Sequence, residues 1–159
     1  MTSTMGRLSP VAVFFLNYVA FTAFSWIFPM DRKWLASLEK PSWSPPGMVV
    51  GMAWMVIFAL ISLAVALLWD KVGLRRIGLS WKAVFLASWF FNQLFYIGQS
   101  FSRNLFYSFL DTAAIAVTAT LLVIVSWPYS RAAALLFAPY ALWSTFATAL
   151  AWTIYRLNR

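Results

Sequence analysis

Ten tryptophans stand in this chain beside no cysteine and no histidine, so its chemistry has to come from rings and amides. The missing residues exclude thiolate nucleophiles, disulfides, imidazole bases and the commonest metal ligands. The side-chain carboxylates are Asp31, Glu39, Asp70 and Asp111, and all but Asp111 fall in connections or at the ends of apolar segments. No glycine-rich phosphate loop is present. A conventional hydrolase, metalloenzyme or nucleotide-driven pump is therefore disfavoured. The spacing offers aromatic faces instead. Trp54, Phe58, Ile61 and Val65 follow the i, i+4, i+7, i+11 pattern of one helical face. Trp143, Ala147 and Leu150 do the same later in the chain, where the small alanine beside a large ring leaves a notch. Asn92, Phe95, Tyr96 and Gln99 share a third face. Indole faces stack on flat apolar guests, and amides among them can orient such a guest.

Each of these features also has a plainer reading. Asn92 and Gln99 serve equally well as bridges between helices, at under about 2 kcal/mol per bond. Asn17 needs the same kind of partner. Asp111 is expected to pair with a nearby base or amide, for which Arg103 and Asn104 are the candidates. Trp26, Trp69, Trp81, Trp127 and Trp152 lie near segment ends and suit the aromatic belt at a membrane interface.

The elements that must hold these residues follow from composition. Of 159 residues, 63% are hydrophobic and only 10% charged, whereas a soluble domain has about a quarter of its residues charged. So few charges cannot cover a surface facing water, so the outer solvent is lipid. Five apolar segments, roughly 10–28, 48–69, 81–100, 106–127 and 132–155, are each near the ~20 residues a helix needs to cross ~30 Å of hydrocarbon. None alternates as a lipid-facing strand would. The expected fold is an all-α membrane protein, a five-transmembrane-helix bundle forming a single domain over 1–159. The first segment follows Arg7, but it is too long for the apolar core of a cleaved signal and no clear cleavage site follows, so a retained helix is expected. Orientation stays open. Arg7, Lys71, Arg75, Arg76, Lys82 and Arg131 on one side balance Arg32, Lys33, Lys40, Arg103, Arg156 and Arg159 on the other. The net charge of +8 suits anionic head groups, and no nucleic-acid-binding motif accompanies it.

The connection EKPSWSPPGMVV at 39–50 is unusually stiff. Ser44 reads as an N-cap, Pro45 as the first helical residue, and Pro41 holds Lys40 extended, so Trp43 is displayed on a rigid turn. Gly47 and Gly51 then permit close approach of a helix or a ligand. The segment reads either as simple packing or as the lid of an aromatic pocket.

Three stretches, WLASLEKPSWSPPGMVVGMAW at 34–54, FNQLF at 91–95 and PYALWSTFATALAWTIYRLN at 139–158, resemble the TspO/translocator protein family of tryptophan-rich sensory proteins. FPMDR at 28–32 and SWFFNQ at 88–93 are most similar to the Bacillus form. The likeness extends over nearly the whole chain. It implies a five-helix bundle, often a homodimer, in a bacterial inner or plasma membrane. A pocket beneath the first connection would bind porphyrins such as protoporphyrin IX, sterols, or benzodiazepine- and isoquinoline-type ligands, with no covalent cofactor and no metal. Carried over by position, the ligand-binding pattern falls on Trp34, Leu35, Pro45, Val50, Trp54, Phe58, Asn92, Phe95, Trp143 and Ala147. Bacterial members similar to this one are implicated in light-dependent porphyrin degradation, for which Trp54 and Trp143 would be the catalytic pair. Two departures stand out. Leu35 follows Trp34 where many relatives have tyrosine, and Ala151 precedes Trp152 where many have asparagine.

Three readings remain open at this level: a tetrapyrrole sensor or carrier, a photochemical porphyrin-degrading enzyme, and a membrane protein that regulates a partner while its pocket is incidental. Small-residue faces at Ala83 and Ala87, and at Thr112, Ala116 and Thr120, are candidates for a dimer interface or for internal packing.

Overall fold

The computed structural model describes residues 8–73 and 75–159; Arg7 lies outside them. Helix α1 spans Pro10–Ile27, α2 Arg32–Ser37, α3 Gly47–Lys71, α4 Leu79–Phe101, α5 Leu105–Ser126 and α6 Arg131–Leu157. Among the described residues all regular structure is helical. The five long helices begin and end within two residues of the apolar segments. Four of them, α1, α3, α5 and α6, are long and apolar enough to cross a membrane, and the chain is a multi-pass membrane protein. Helix α4 has 23 residues but also carries Lys82, Asn92, Gln93 and Gln99, which lower its apolar character.

Local chemistry explains the boundaries. Ser9, Asp31, Asn104 and Ser130 cap α1, α2, α5 and α6 with side-chain oxygens on backbone N–H groups. At α3 the expectation of a Ser44 cap is corrected. Ser44 closes a turn by donating its N–H to the Pro41 carbonyl, and α3 starts after Pro46 with no side-chain cap. The two prolines delay the helix because the residue before a proline is held out of the α region. Gly73 ends α3 in the left-handed region, at φ 79°, where glycine carries no Cβ penalty.

The long helices form a closed ring in the order α1–α3–α6–α5–α4, with α4 returning to α1. Apolar side chains such as Phe15, Leu16, Met55, Val56 and Leu142 point outward, as a lipid solvent allows. Inside are Phe21, Ile61, Ile115, Leu122, Phe137 and Tyr140, together with most of the buried polar groups. Those polar groups tie helices together: Asn17 Nδ2 donates to Ser62 Oγ at 2.9 Å, and Gln99 Nε2 to Ser108 Oγ at 2.7 Å. In hydrocarbon such groups must face inward and pair.

Trp81 corrects the belt assignment. It is buried, stacks on Phe85 with ring centroids 5.0 Å apart, and donates Nε1–H to Ser126 Oγ at 2.8 Å. Nearness to a helix end did not expose it, because the α5–α6 turn covers that end: the Tyr129 hydroxyl accepts the Gly78 N–H at 2.8 Å. Trp26, Trp127 and Trp152 are exposed as a belt requires.

Candidate functional site

The seam between α3 and α6 gathers the aromatic residues. On α3, Trp54 packs on Phe58 at 5.6 Å and meets Tyr140 of α6 edge-on at 6.3 Å. The Tyr140 hydroxyl is fully buried and accepts from Asn92 Nδ2 of α4 at 2.6 Å. It also shares a 2.8 Å hydrogen bond with Ser88 Oγ. Asn92 in turn donates to the Ser88 carbonyl, so its amide is held from two sides. Three helices therefore meet at Tyr140, α4 at its hydroxyl and α3 at its ring. Trp54, Phe58 and Asn92 come together there, and Phe95 packs against the same core one turn along α4.

Trp143 takes a different place. It lines a groove of about 430 Å3 with Val49, Met52, Ala53, Val56, Ile57 and Leu60 of α3 and Pro139 of α6. The groove is shallow and opens toward the exposed faces of Met52 and Val56. The Trp143 Nε1 atom is buried and has no hydrogen-bond partner. Pro139 contributes to the shape, since a proline inside a helix lacks an N–H and crowds the preceding turn. Ala147 is half-buried one turn beyond Trp143.

The connection between α1 and α3 reaches the site through a chain of rings. Trp43 meets Phe146 edge-on at 5.8 Å, and Phe146 lies 5.2 Å from Trp143. Trp34 and Leu35 of α2, with Pro45 and Val50, are half-buried. Two clasps pin this connection. Asn158, at the end of α6, accepts the Glu39 N–H at 2.9 Å and donates to the Glu39 carbonyl at 2.8 Å. Arg103, in the turn between α4 and α5, meets Asp31 at 2.6 Å. The Trp34 N–H above all, then the Arg103 charge, holds the Asp31 carboxyl below its usual range.

That pairing corrects the expectation for Asp111. Arg103 has a left-handed backbone, at φ 45°, and turns to Asp31, while Asn104 caps α5 by accepting the Tyr107 N–H. Asp111 is left buried with neither carboxylate oxygen partnered. The Gly47–Gly51 pair is equally instructive, since a Cβ added at either would meet nothing within 4 Å; no helix of the ring approaches there. Sequence reasoning missed Tyr140, Ser88 and Phe146. Spacing held the signal, for Ser88 is four residues before Asn92, and Tyr140 and Phe146 each lie three from Trp143.

The model of the TspO/MBR family matches residues 10–156. The chain belongs to the TspO/MBR family. It is 45% identical to the tryptophan-rich protein TspO of Bacillus cereus, over 96% of this chain and 98% of that one. It is 40% identical to the membrane protein YtaB of Bacillus subtilis, over 93% and 95%. The human translocator protein is 28% identical over 79% of this chain and 75% of its own. The TspO/MBR match thus covers α1 through nearly the end of α6, including every residue of the seam.

Proposed function

We propose that this TspO/MBR protein is a five-span plasma-membrane bundle, acting as a homodimer, that binds a planar tetrapyrrole such as protoporphyrin IX as a sensor or carrier. The observation that carries the reading is the α3–α6 seam. It combines the packed rings of Trp54, Phe58 and Tyr140, an adjoining groove of about 430 Å3 and an unpartnered indole N–H at Trp143. Rings supply stacking area, while a buried donor without a partner favours a guest that brings an acceptor. The absence of His and Cys fits recognition by shape and stacking, with no ligation of a metal needed.

A second reading is favoured by the position of Trp54 and Trp143 on adjoining faces of one seam. An excited porphyrin beside electron-rich indoles can exchange an electron with them or sensitise oxygen, and neither route needs an acid or base. Under this reading the two tryptophans degrade bound porphyrin in light.

One experiment tests both. Purified protein in lipid nanodiscs is titrated with protoporphyrin IX while tryptophan fluorescence is followed, and the complex is then illuminated. Saturable quenching, weakened several-fold in Trp54→Phe/Trp143→Phe, supports binding at the seam. Loss of porphyrin absorption with a new product in the wild type alone supports degradation. No saturable quenching removes both readings and leaves a partner-regulating role.

A further inference from the structure

Asp111 of α5 lies away from the groove and is 4% exposed, with neither Oδ1 nor Oδ2 hydrogen-bonded. One turn before it, Ser108 Oγ accepts from Gln99 Nε2 of α4, and that amide leaves its own buried Oε1 without a partner. Ser108 and Thr112 direct their hydroxyl protons to helix carbonyls, those of Asn104, Ser108 and Phe109. The nearest basic residue in the chain, Arg103, is engaged by Asp31. No described side chain donates to either Asp111 oxygen, so an ionised carboxylate there has no hydrogen bond or ion pair to compensate its charge. A buried carboxyl in a medium of low dielectric then takes up a proton. The proton comes from water, and the acid form removes the buried charge.

We propose that Asp111 is a membrane-embedded proton-binding site, held as the uncharged acid at neutral pH, whose ionisation opposes an anionic guest beside Tyr140. Geometry gives the link. Asp111 and Tyr140 are both buried inside the helix ring, on the adjoining helices α5 and α6, where a low dielectric carries a charge further than water would. Tyr140 is the ring that Trp54 and Asn92 hold. Of the other titratable groups on the helices packed against α5, α4 carries Tyr96 and, near its start, Lys82. Helix α6 carries Tyr155, with Arg131 and Arg156 near its ends over Trp127 and Trp152. None of them bonds Asp111. The effect on a guest rests on the tetrapyrrole reading above, whereas the proton site does not.

Infrared difference spectroscopy on the ligand-free protein in nanodiscs tests the proton site. A carbonyl stretch of a protonated carboxyl should be present at neutral pH, disappear on raising the pH, and be absent from Asp111→Asn. An ionised carboxyl at neutral pH overturns the proposal. Should the variant not fold, the wild-type spectrum still decides, because only four side chains are carboxylic and the other three lie in connections or at helix ends. Protoporphyrin IX, a dicarboxylate, is then titrated at neutral and alkaline pH. The wild type should lose affinity several-fold across the infrared transition, and Asp111→Asn should not. Equal pH dependence in both proteins overturns the link to the guest. Absence of porphyrin binding at every pH counts against the tetrapyrrole reading and the link, while the infrared band still decides the proton site.

Discussion

At the scale of single residues, Tyr140 is the position where one oxygen matters most. Tyr140→Phe keeps the ring on Trp54 but leaves an Asn92 N–H buried without an acceptor, a loss of about 1–3 kcal/mol. The expected outcome is a lower midpoint in fluorescence-monitored thermal unfolding together with weaker protoporphyrin binding; an unchanged midpoint would show that the hydroxyl holds nothing. Trp81→Phe makes the useful contrast. It removes a buried indole N–H bonded to Ser126 at a similar cost of about 1–3 kcal/mol, but it lies away from the seam, so stability should fall while porphyrin affinity stays. Asp31 supplies the acid-side prediction. Its folded carboxyl is lowered from 3.8 by the Trp34 N–H first and then by Arg103. Its contribution is therefore present above 3.8 and lost as pH falls through the lower folded value. Amide exchange at Lys33 and Trp34 should quicken over that acid window in the wild type. In Asp31→Asn, which can still cap α2 but cannot pair with Arg103, exchange should show no such step.

At the scale of elements, the α4–α5 hairpin depends on a glycine. A Cβ at Gly98 would overlap the Tyr107 ring, so the alanine that normally favours a helix by about 1 kcal/mol here forces the ring away. Overpacking of this kind costs typically 1–3 kcal/mol and outweighs the propensity gain. Gly98→Ala should lower the unfolding midpoint, and adding Tyr107→Ala should recover part of the loss relative to Tyr107→Ala alone. Additive effects in that double-mutant cycle would mean the two positions do not press on one another. The connection between α1 and α3 is governed differently, by its clasps at Arg103 and Asn158 and by Trp43 on Phe146. Stiff prolines set its path, and these contacts hold it to the ends of α4 and α6.

At the scale of the whole molecule, closure of the helix ring explains why so many polar side chains are tolerated. Each interhelical bond is modest, but a ring gives each of the five long helices two neighbours on which to satisfy its amides and hydroxyls. The clasps also place the α1–α3 connection, the α4–α5 turn and the end of α6 on one side. A chain without cysteine makes the arrangement testable. Single variants Ser42→Cys and Ser102→Cys should react with a membrane-impermeant maleimide from the same face of sealed vesicles, and Ser80→Cys from the other. Labelling of Ser42→Cys and Ser80→Cys from the same face would refute the five-span arrangement.

The extents of the long helices were legible in the sequence because a lipid solvent dictates both length and composition, so apolar runs and helices coincide within two residues. The faces bearing Trp54, Phe58 and Asn92 were legible too, since a 3.6-residue period assigns residues to a face of their own helix. Periodicity says nothing about which helices become neighbours. Only packing in three dimensions set α6 against α3, brought Tyr140 under Trp54 and aligned Trp143 with the groove. It also buried Trp81 beneath a distant turn. The left-handed backbone at Arg103, formed between two antiparallel helices, turned that cation to Asp31 and left Asp111 alone.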